Sequence, residues 1–199
     1  NRPERMLQLR IVLYSETEFA ERCHEGLVDG LSNAGWVEGK DFDLISYNAQ
    51  GDMSTLSSIM TTIKADHVDL LMVVSTPTLQ AALRQAGSDT KIVFTGVGDG
   101  VKAGAGNSET DHLPNVTGIS TRSPFGGMAR MISRMMPGAR RVGTLFTPAE
   151  VNSVLYKDWF KEALAGHGIE LVAVPVNSSA EVSQATIELC RQDIQLVGQ

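Results

Sequence analysis

Two segments of the sequence place a Thr-Pro pair directly after an apolar run. Thr76-Pro77 follows one such run, and Thr147-Pro148 follows another. Thr is a favourable N-cap, and Pro fits the first helical position because its missing N–H would be unpaired there anyway. Each segment therefore predicts a helix N-terminus at the carboxyl end of a strand. Free backbone N–H groups at such a point favour an anionic group such as a carboxylate.

Polar side chains around these two turns are the first candidates for ligand contacts. They are Ser75, Thr76 and Thr78 in the first segment, and Glu150, Asn152 and Ser153 in the second. The second segment has an alternative interpretation, because the spacing of Thr147 and Glu150 also fits a capping box, in which Glu150 folds back onto the backbone N–H of Thr147. Asn152 and Ser153 equally fit solvated positions in the first turns of a helix. The sequence leaves these interpretations open.

A third turn supplies hydroxyl groups and a carboxylate after the first apolar run. Ser15, Glu16 and Thr17 follow Tyr14 there, and a carboxylate at this point could pair with the ammonium group of an amino acid. The alternative is an N-cap at Ser15 or Thr17, with an acidic neighbour complementing the helix dipole.

A fourth turn, residues 96–100, is rich in glycine. We take Gly96 and Asp99 as candidates, because the glycines would let the backbone approach a ligand closely. The spacing does not match a dinucleotide fingerprint, and no clear helical pattern follows.

Constellations for catalysis or metal binding are missing from the sequence. The four histidines are scattered, and no Ser or Cys has a partner at a recognisable spacing. Metal-ligand clusters and phosphate-binding loops are also missing. We therefore expect a protein that is not an enzyme, with no catalytic residues, no metal and no cofactor. Cys23 and Cys190 are far apart, and each is expected to be a small buried side chain.

The elements that must position these residues alternate regularly along the chain. Apolar, β-branched runs predict strands at residues 9–14, 42–47, 69–74, 91–95, 115–119, 141–146 and 169–176, with a last strand from Ile194. Stripes of helical period lie between most of them. This order predicts an α/β fold with parallel sheets and right-handed crossovers.

Three of the helical stripes have a predicted inward face. One holds Phe19, Cys23, Leu27 and Leu31; a helix at residues 125–136 holds Met128, Met131, Ile132 and Met135; the next holds Val151, Val154, Leu155, Trp159 and Ala163. At this spacing a row of methionines is typical of a core face.

The alternation dissolves between residues 96 and 114 into Gly, Asp, Asn and Ser. We place a boundary between lobes in the segment 120–124, which predicts an N-terminal α/β lobe at 6–120 and a C-terminal α/β lobe at 121–199. The second lobe has only three predicted strands. We therefore expect the natural protein to extend beyond residue 199.

Composition excludes several classes of function. The chain has 199 residues, 42% of them hydrophobic, with 17 basic and 23 acidic side chains and a formal charge of −6. This balance is typical of a globular protein and lacks the basic footprint that nucleic acid requires. The longest apolar run, residues 70–74, is far shorter than the roughly 20 residues of a membrane-spanning helix. Without an initiator Met or an apolar leader, the sequence is either cytoplasmic or has lost a signal peptide.

Several segments together resemble the substrate-binding proteins of ABC transporters, in the family that includes tryptophan- and tyrosine-type binding proteins. The resemblance extends from about Leu9 onward and rests on residues 75–78, 92–99, 115–118, 136–143 and 147–153. It implies a two-lobed periplasmic-binding-protein-like fold with an incomplete second lobe. It also implies a periplasmic or otherwise extracytoplasmic monomer, with its signal peptide removed. Such a protein captures a small ligand between its lobes and delivers it to an ABC permease. The expected ligand is an amino acid, with aromatic amino acids among the candidates.

Carried over by position, the resemblance implies that the candidate residues of the two Thr-Pro segments face the ligand. The sequence departs from the family at Gly100, where relatives often have Pro, and at Thr147, where Asn commonly precedes the Pro. Both positions adjoin the expected cleft, so the identity of the ligand stays open. The alternative function is a ligand-sensing domain of a signalling or regulatory protein with the same fold.

Overall fold

The computed structural model describes residues 5–198. The chain divides into two compact units, one ending at Arg122 and the other beginning at Ser123. We describe each unit by itself.

The first unit is a parallel sheet flanked by helices. Its elements are β1 (Leu7–Leu13), α1 (Glu18–Asn33), β2 (Phe42–Asn48), α2 (Met53–Ala65), β3 (Leu70–Val74), α3 (Thr76–Gln85), β4 (Lys91–Val97) and β5 (Val116–Ser120). The five strands lie in the order β2-β1-β3-β4-β5, and every pair is parallel. This order is one of the two common doubly wound arrangements, and the parallel pairing agrees with the α/β fold that the alternating sequence predicted.

Both faces of this sheet are covered by apolar side chains. Along β1, Ile11 and Leu13 pack in the cluster beneath α1, whereas Val12 packs in the cluster beneath α2 and α3. The alternation follows from the strand geometry, since successive side chains point to opposite faces. Burial on both faces explains why the central strands read as nearly continuous apolar runs.

One member of the predicted stripe on α1 does not face the core. Phe19 is 54% exposed, whereas Cys23, Leu27 and Leu31 pack partly buried against the sheet. Ala20 is the buried residue of this turn. The stripe prediction is therefore wrong at Phe19, because a spacing of four drifts around a helix that has 3.6 residues per turn.

The second unit has a smaller parallel sheet. Its elements are α4 (Phe125–Met135), β6 (Arg141–Phe146), α5 (Val151–Ala165), β7 (Glu170–Pro175), a short 3₁₀ turn (Ser179–Glu181), α6 (Val182–Cys190) and β8 (Leu196–Val197). The strand order is β7-β6-β8, again parallel. The core cluster joins α4 to β6 and α5 through Ile132, Val142, Phe160 and Leu164.

The inward faces of α4 and α5 differ from the prediction. Met131 is 54% and Met135 75% exposed, while Ala129 and Ile132 are buried. The buried face of α4 is therefore formed by Ala129 and Ile132, and the two methionines lie outside it. On α5 the buried side chains are Phe160 and Leu164, one residue beyond the predicted Trp159 and Ala163, which are partly buried.

The two cysteines also depart from expectation. Cys190 is exposed at the end of α6, and Cys23 is only partly buried; neither forms a disulfide. The expectation of two buried thiols is therefore wrong for Cys190, whose helix turns Ala185 and Leu189 toward the sheet instead.

Candidate functional site

The carboxyl ends of β1, β3 and β4 lie side by side in the first unit. These strands are adjacent and parallel, so the segments that follow them meet at one edge of the sheet. The chain continues from β1 to β2 on one side and from β3 to β4 on the other. In open α/β sheets, this switch point between β1 and β3 is where ligands bind.

Ser75 connects β3 to α3 in a rare backbone conformation. Its φ is 94° and its ψ 158°, a region almost confined to glycine that costs other residues about 1–3 kcal/mol. Its N–H donates to the carbonyl of Thr95 at 3.0 Å. Ser75, rather than the expected Thr76, occupies the N-cap position, and its side chain makes no capping hydrogen bond.

The hydroxyl of Thr78 is committed within the fold. Thr78 is fully buried, and its Oγ1 lies 2.5 Å from the carbonyl oxygen of Val74 and 2.8 Å from that of Ser75. Because a hydroxyl has one proton, which these carbonyls accept, Thr78 can only accept from Ser75 Oγ, at 3.2 Å. Thr78 therefore positions Ser75 and is itself out of reach of a ligand.

The start of α3 keeps unused hydrogen-bonding groups. Thr76 is 3% exposed and lies in the first turn of the helix. The first turn of a helix leaves its N–H groups without internal partners, and Pro77 removes one of these. The remaining N–H groups, with the hydroxyl of Thr76, form a donor set suited to a carboxylate.

The turn after β1 has a clear structural role at one residue. Thr17 caps α1, its Oγ1 accepting from the N–H of Ala20 at 3.2 Å. Glu16 is exposed and lines a cavity of about 320 Å³ between α1 and β2. His24 also lines this cavity, and its Nε2 lies 2.8 Å from Ser46 Oγ. Ser15 lies beside Glu16 and is partly buried.

The glycine-rich segment after β4 comes close to α1. Gly96 has φ +65°, and a Cβ there would lie 3.2 Å from Cε1 of Phe19 and 3.4 Å from Cγ1 of Val74. A side chain at this position is therefore disfavoured both by conformation and by space. Asp99 has a local role, because its Oδ1 accepts from the N–H of Lys102 at 2.9 Å.

In the second unit, the chain forms a separate turn before α5. The N–H of Glu150 donates to the carbonyl of Thr147 at 3.1 Å, and the helix begins only at Val151. The N–H of Thr147 donates instead to Ser153 Oγ at 2.8 Å. The capping-box prediction is therefore wrong, since Ser153 takes the N–H that was assigned to Glu150.

Asn152 has an unused acceptor at this edge. Its Oδ1 is buried and is one of two buried side-chain atoms among residues 5–198 that lack a hydrogen-bond partner. Leaving a buried acceptor unpaired costs about 1–3 kcal/mol. Asn152 could therefore accept a hydrogen bond from a ligand donor such as an ammonium group.

A cavity of about 400 Å³ opens between α4, α5 and the end of β6. The ring of Phe125 lies 5.4 Å from that of Phe160 and 5.8 Å from that of Tyr156, centroid to centroid. Burial raises the pKa of Tyr156. Lys157 also lines the cavity, with Ser153 and Thr144. Sequence reasoning missed these aromatic residues, although the spacing of Tyr156 and Phe160 on α5 is a usable signal.

Apolar cavities with a few polar groups, beside helix N-termini at the carboxyl edges of parallel sheets, define a class of α/β proteins that bind small molecules. The chain belongs to the family of ABC transporter substrate binding proteins, whose family model matches residues 11–195. Members of this family are binding proteins and not enzymes, which confirms the expectation that the protein is not an enzyme. The match favours this interpretation over a sensory domain.

Individual relatives agree with the family. The chain is 30% identical over 169 residues to a tyrosine-binding protein of Clostridioides difficile, an alignment that covers 85% of this chain and 49% of that protein. A conserved domain protein from Vibrio cholerae superposes with a TM-score of 0.88 at 29% identity, over 97% of this chain and 64% of the other.

A structure from Streptococcus pneumonia, described as an ABC domain in complex with L-Trp, superposes with a TM-score of 0.90 at 20% identity and the same coverage, and so shares the fold. The fold is thus that of periplasmic binding proteins. The chain spans about half the length of the curated relative and 64% of these solved chains, in agreement with an incomplete second lobe. Within the described part of the chain, no helix is long and apolar enough to cross a membrane.

Proposed function

We propose that this protein is the extracytoplasmic solute-binding component of an ABC importer, and that it captures an amino acid for delivery to a permease. The observation that carries the proposal is the start of α3, where a strained Ser75 and a buried Thr76 adjoin the N–H groups of the first helical turn at the β1/β3 switch point. The two units then correspond to the two lobes of such a protein, residues 6–120 and 121–199, in a monomer.

The carboxylate of the ligand binds at the α3 N-terminus. It accepts hydrogen bonds from the backbone N–H groups and from Thr76 Oγ1, in the favourable field of the helix dipole. Its ammonium group needs acceptors, for which Glu16 and Glu150 supply carboxylates and Asn152 supplies the unpaired Oδ1.

An aromatic side chain is the preferred ligand group. The name of the Clostridioides difficile relative, a tyrosine-binding protein at 30% identity, supports this preference. The cavity of about 400 Å³ beside Phe125, Tyr156 and Phe160 offers apolar, aromatic surface of the kind that holds a ring.

A thermal-shift panel of the twenty amino acids, followed by calorimetric titration, tests the proposal. A bound ligand at about 100 times its Kd should stabilise the protein by roughly 2.7 kcal/mol. Thr76→Val, which removes one hydroxyl at nearly constant volume, should weaken binding, whereas Thr61→Val on the exposed face of α2 should not. Stabilisation by no amino acid would remove this ligand class.

A further inference from the structure

The side chain of Phe19 stands out at the carboxyl edge of the first unit. It is 54% exposed, although a phenyl ring gains most when it is removed from water. Its place is fixed by the start of α1: Thr17 caps the helix through the N–H of Ala20, which leaves Phe19 in the first turn. The backbone of Phe19 is thus held in a defined local structure.

The inner side of the ring lies against Gly96. A Cβ at Gly96 would come within 3.2 Å of the ring and within 3.5 Å of Cys23 Sγ. A Cβ at this distance would be a tight contact with the ring, and the positive φ of Gly96 also favours glycine. The remainder of the Phe19 side chain is accessible at this edge of the sheet, since the residue is 54% exposed.

The ring is also close to the proposed carboxylate site. Ser75 donates its N–H to the carbonyl of Thr95, and Gly96 is the next residue. Val74, which precedes Ser75, lies within 3.4 Å of the same Gly96 Cβ position that the Phe19 ring approaches. An amino acid whose carboxylate lies at the start of α3 therefore has an aromatic surface beside it.

We infer that Phe19 is a specificity-determining residue that packs against the ligand and favours planar side chains over aliphatic ones. Offset or edge-to-face contact between rings adds to the burial of apolar surface, whereas an aliphatic side chain gains only the burial. The inference rests on the proposed function, because it assumes a ligand at the β3–α3 turn. It adds a residue from α1 to the site.

Titration calorimetry of the full chain with L-tyrosine and L-leucine tests the inference. Phe19→Ala should weaken L-tyrosine binding about five-fold, the size of one ring contact, and change L-leucine binding less than about two-fold. Phe19→Tyr should restore the preference. Met53→Ala is the matched control, since Met53 is a 47% exposed apolar residue in the first turn of α2; it should change neither affinity.

Two results would overturn the role of Phe19. One is an unchanged affinity for L-tyrosine in Phe19→Ala; the other is an equal loss for both ligands, which would point to general packing or to attraction of the ammonium group. If the wild-type chain binds no amino acid, the proposed function fails, and indole then serves as the probe by ligand-observed NMR. Indole binding that Phe19→Ala abolishes would support the ring contact, and indole binding that is absent or unaffected would overturn it.

Discussion

Ser75 occupies a backbone conformation that residues other than glycine avoid, and the surrounding contacts maintain it. Its N–H is bonded to Thr95, and its hydroxyl and carbonyl both meet the Thr78 side chain. Strain of this kind persists only where neighbouring structure fixes it, and it concentrates at sites that bind or react. The residue therefore gives up stability to place a hydroxyl beside a helix N-terminus.

Replacement of Ser75 by glycine separates the cost of the strained backbone in stability from the contribution of the hydroxyl to binding. Ser75→Gly should raise the free energy of unfolding by about 1 kcal/mol, because relief of strain exceeds the entropic cost of glycine, and it should weaken ligand binding. Urea denaturation and calorimetric titration measure the two quantities. Ser88→Gly is the control: Ser88 is exposed and is not among the residues with positive φ, so it should gain no stability. A destabilised Ser75→Gly would show that the conformation is not strained.

At the scale of elements, strands were predicted better than helix starts. The strand predicted at residues 69–74 occupies Leu70–Val74, since a continuous apolar run marks a strand covered on both faces. Helix starts depend on which donors meet which acceptors in three dimensions. The N–H of Thr147 finds Ser153 six residues later, a partner that no local motif indicates, so α5 starts three residues beyond its predicted first residue.

The candidate site was predictable only in outline. Topology identified the carboxyl edge after β3, and residue type identified Ser75 and Thr76 as hydrogen-bonding groups. The burial of Thr78 was not visible, because the sequence does not show that its hydroxyl is bonded to two carbonyls. Phe19 was assigned to the core by its spacing, although its exposure depends on how α1 lies against Gly96.

The cap of α2 gives the first unit an acid-sensitive element. Asp52 accepts from the N–H of Thr55 at 2.7 Å and from the hydroxyls of Ser54 and Thr55. These hydrogen bonds, that of Ser54 first, lower the pKa of Asp52 from 3.8 to about 2. A carboxyl whose pKa is lower in the folded state stabilises the fold above its unfolded pKa, and this contribution is lost as the pH falls toward the folded pKa.

Asp52→Asn should isolate this contribution, because Asn is also a good N-cap but does not titrate. Compared with wild type, the variant should lose less stability between about pH 4 and pH 2, as measured by urea midpoints across that range. Asp66→Asn, at the other end of the same helix, serves as the control and should leave the wild-type acid dependence in place. Identical acid profiles for wild type and Asp52→Asn would contradict the assignment.

Over the whole molecule, the two units differ in how completely their sheets are covered. The first has five parallel strands with a buried cluster on each face. The second has three strands, of which β8 contains two residues. Since the burial of apolar surface dominates folding free energy, the first unit has the larger share of the stability.

A fragment of residues 5–122 should therefore fold on its own. We expect a helix-and-strand circular dichroism spectrum and a single cooperative urea transition, whereas a fragment of residues 123–199 should unfold at lower urea or with a broad transition. Equal midpoints would contradict the larger share of stability assigned to the first unit, and a first fragment without a transition would show that it depends on the second unit for stability.

The exposed thiol of Cys190 links the assembly state of the protein to the redox conditions around it. In a reducing buffer the Cys190 thiol stays reduced, and no disulfide through it joins two molecules. In an oxidising compartment, two accessible thiols from different molecules can couple into a disulfide, which persists unless a reductant is supplied. A non-reducing gel would then show a band at twice the mass of 21.4 kDa, which Cys190→Ser should eliminate.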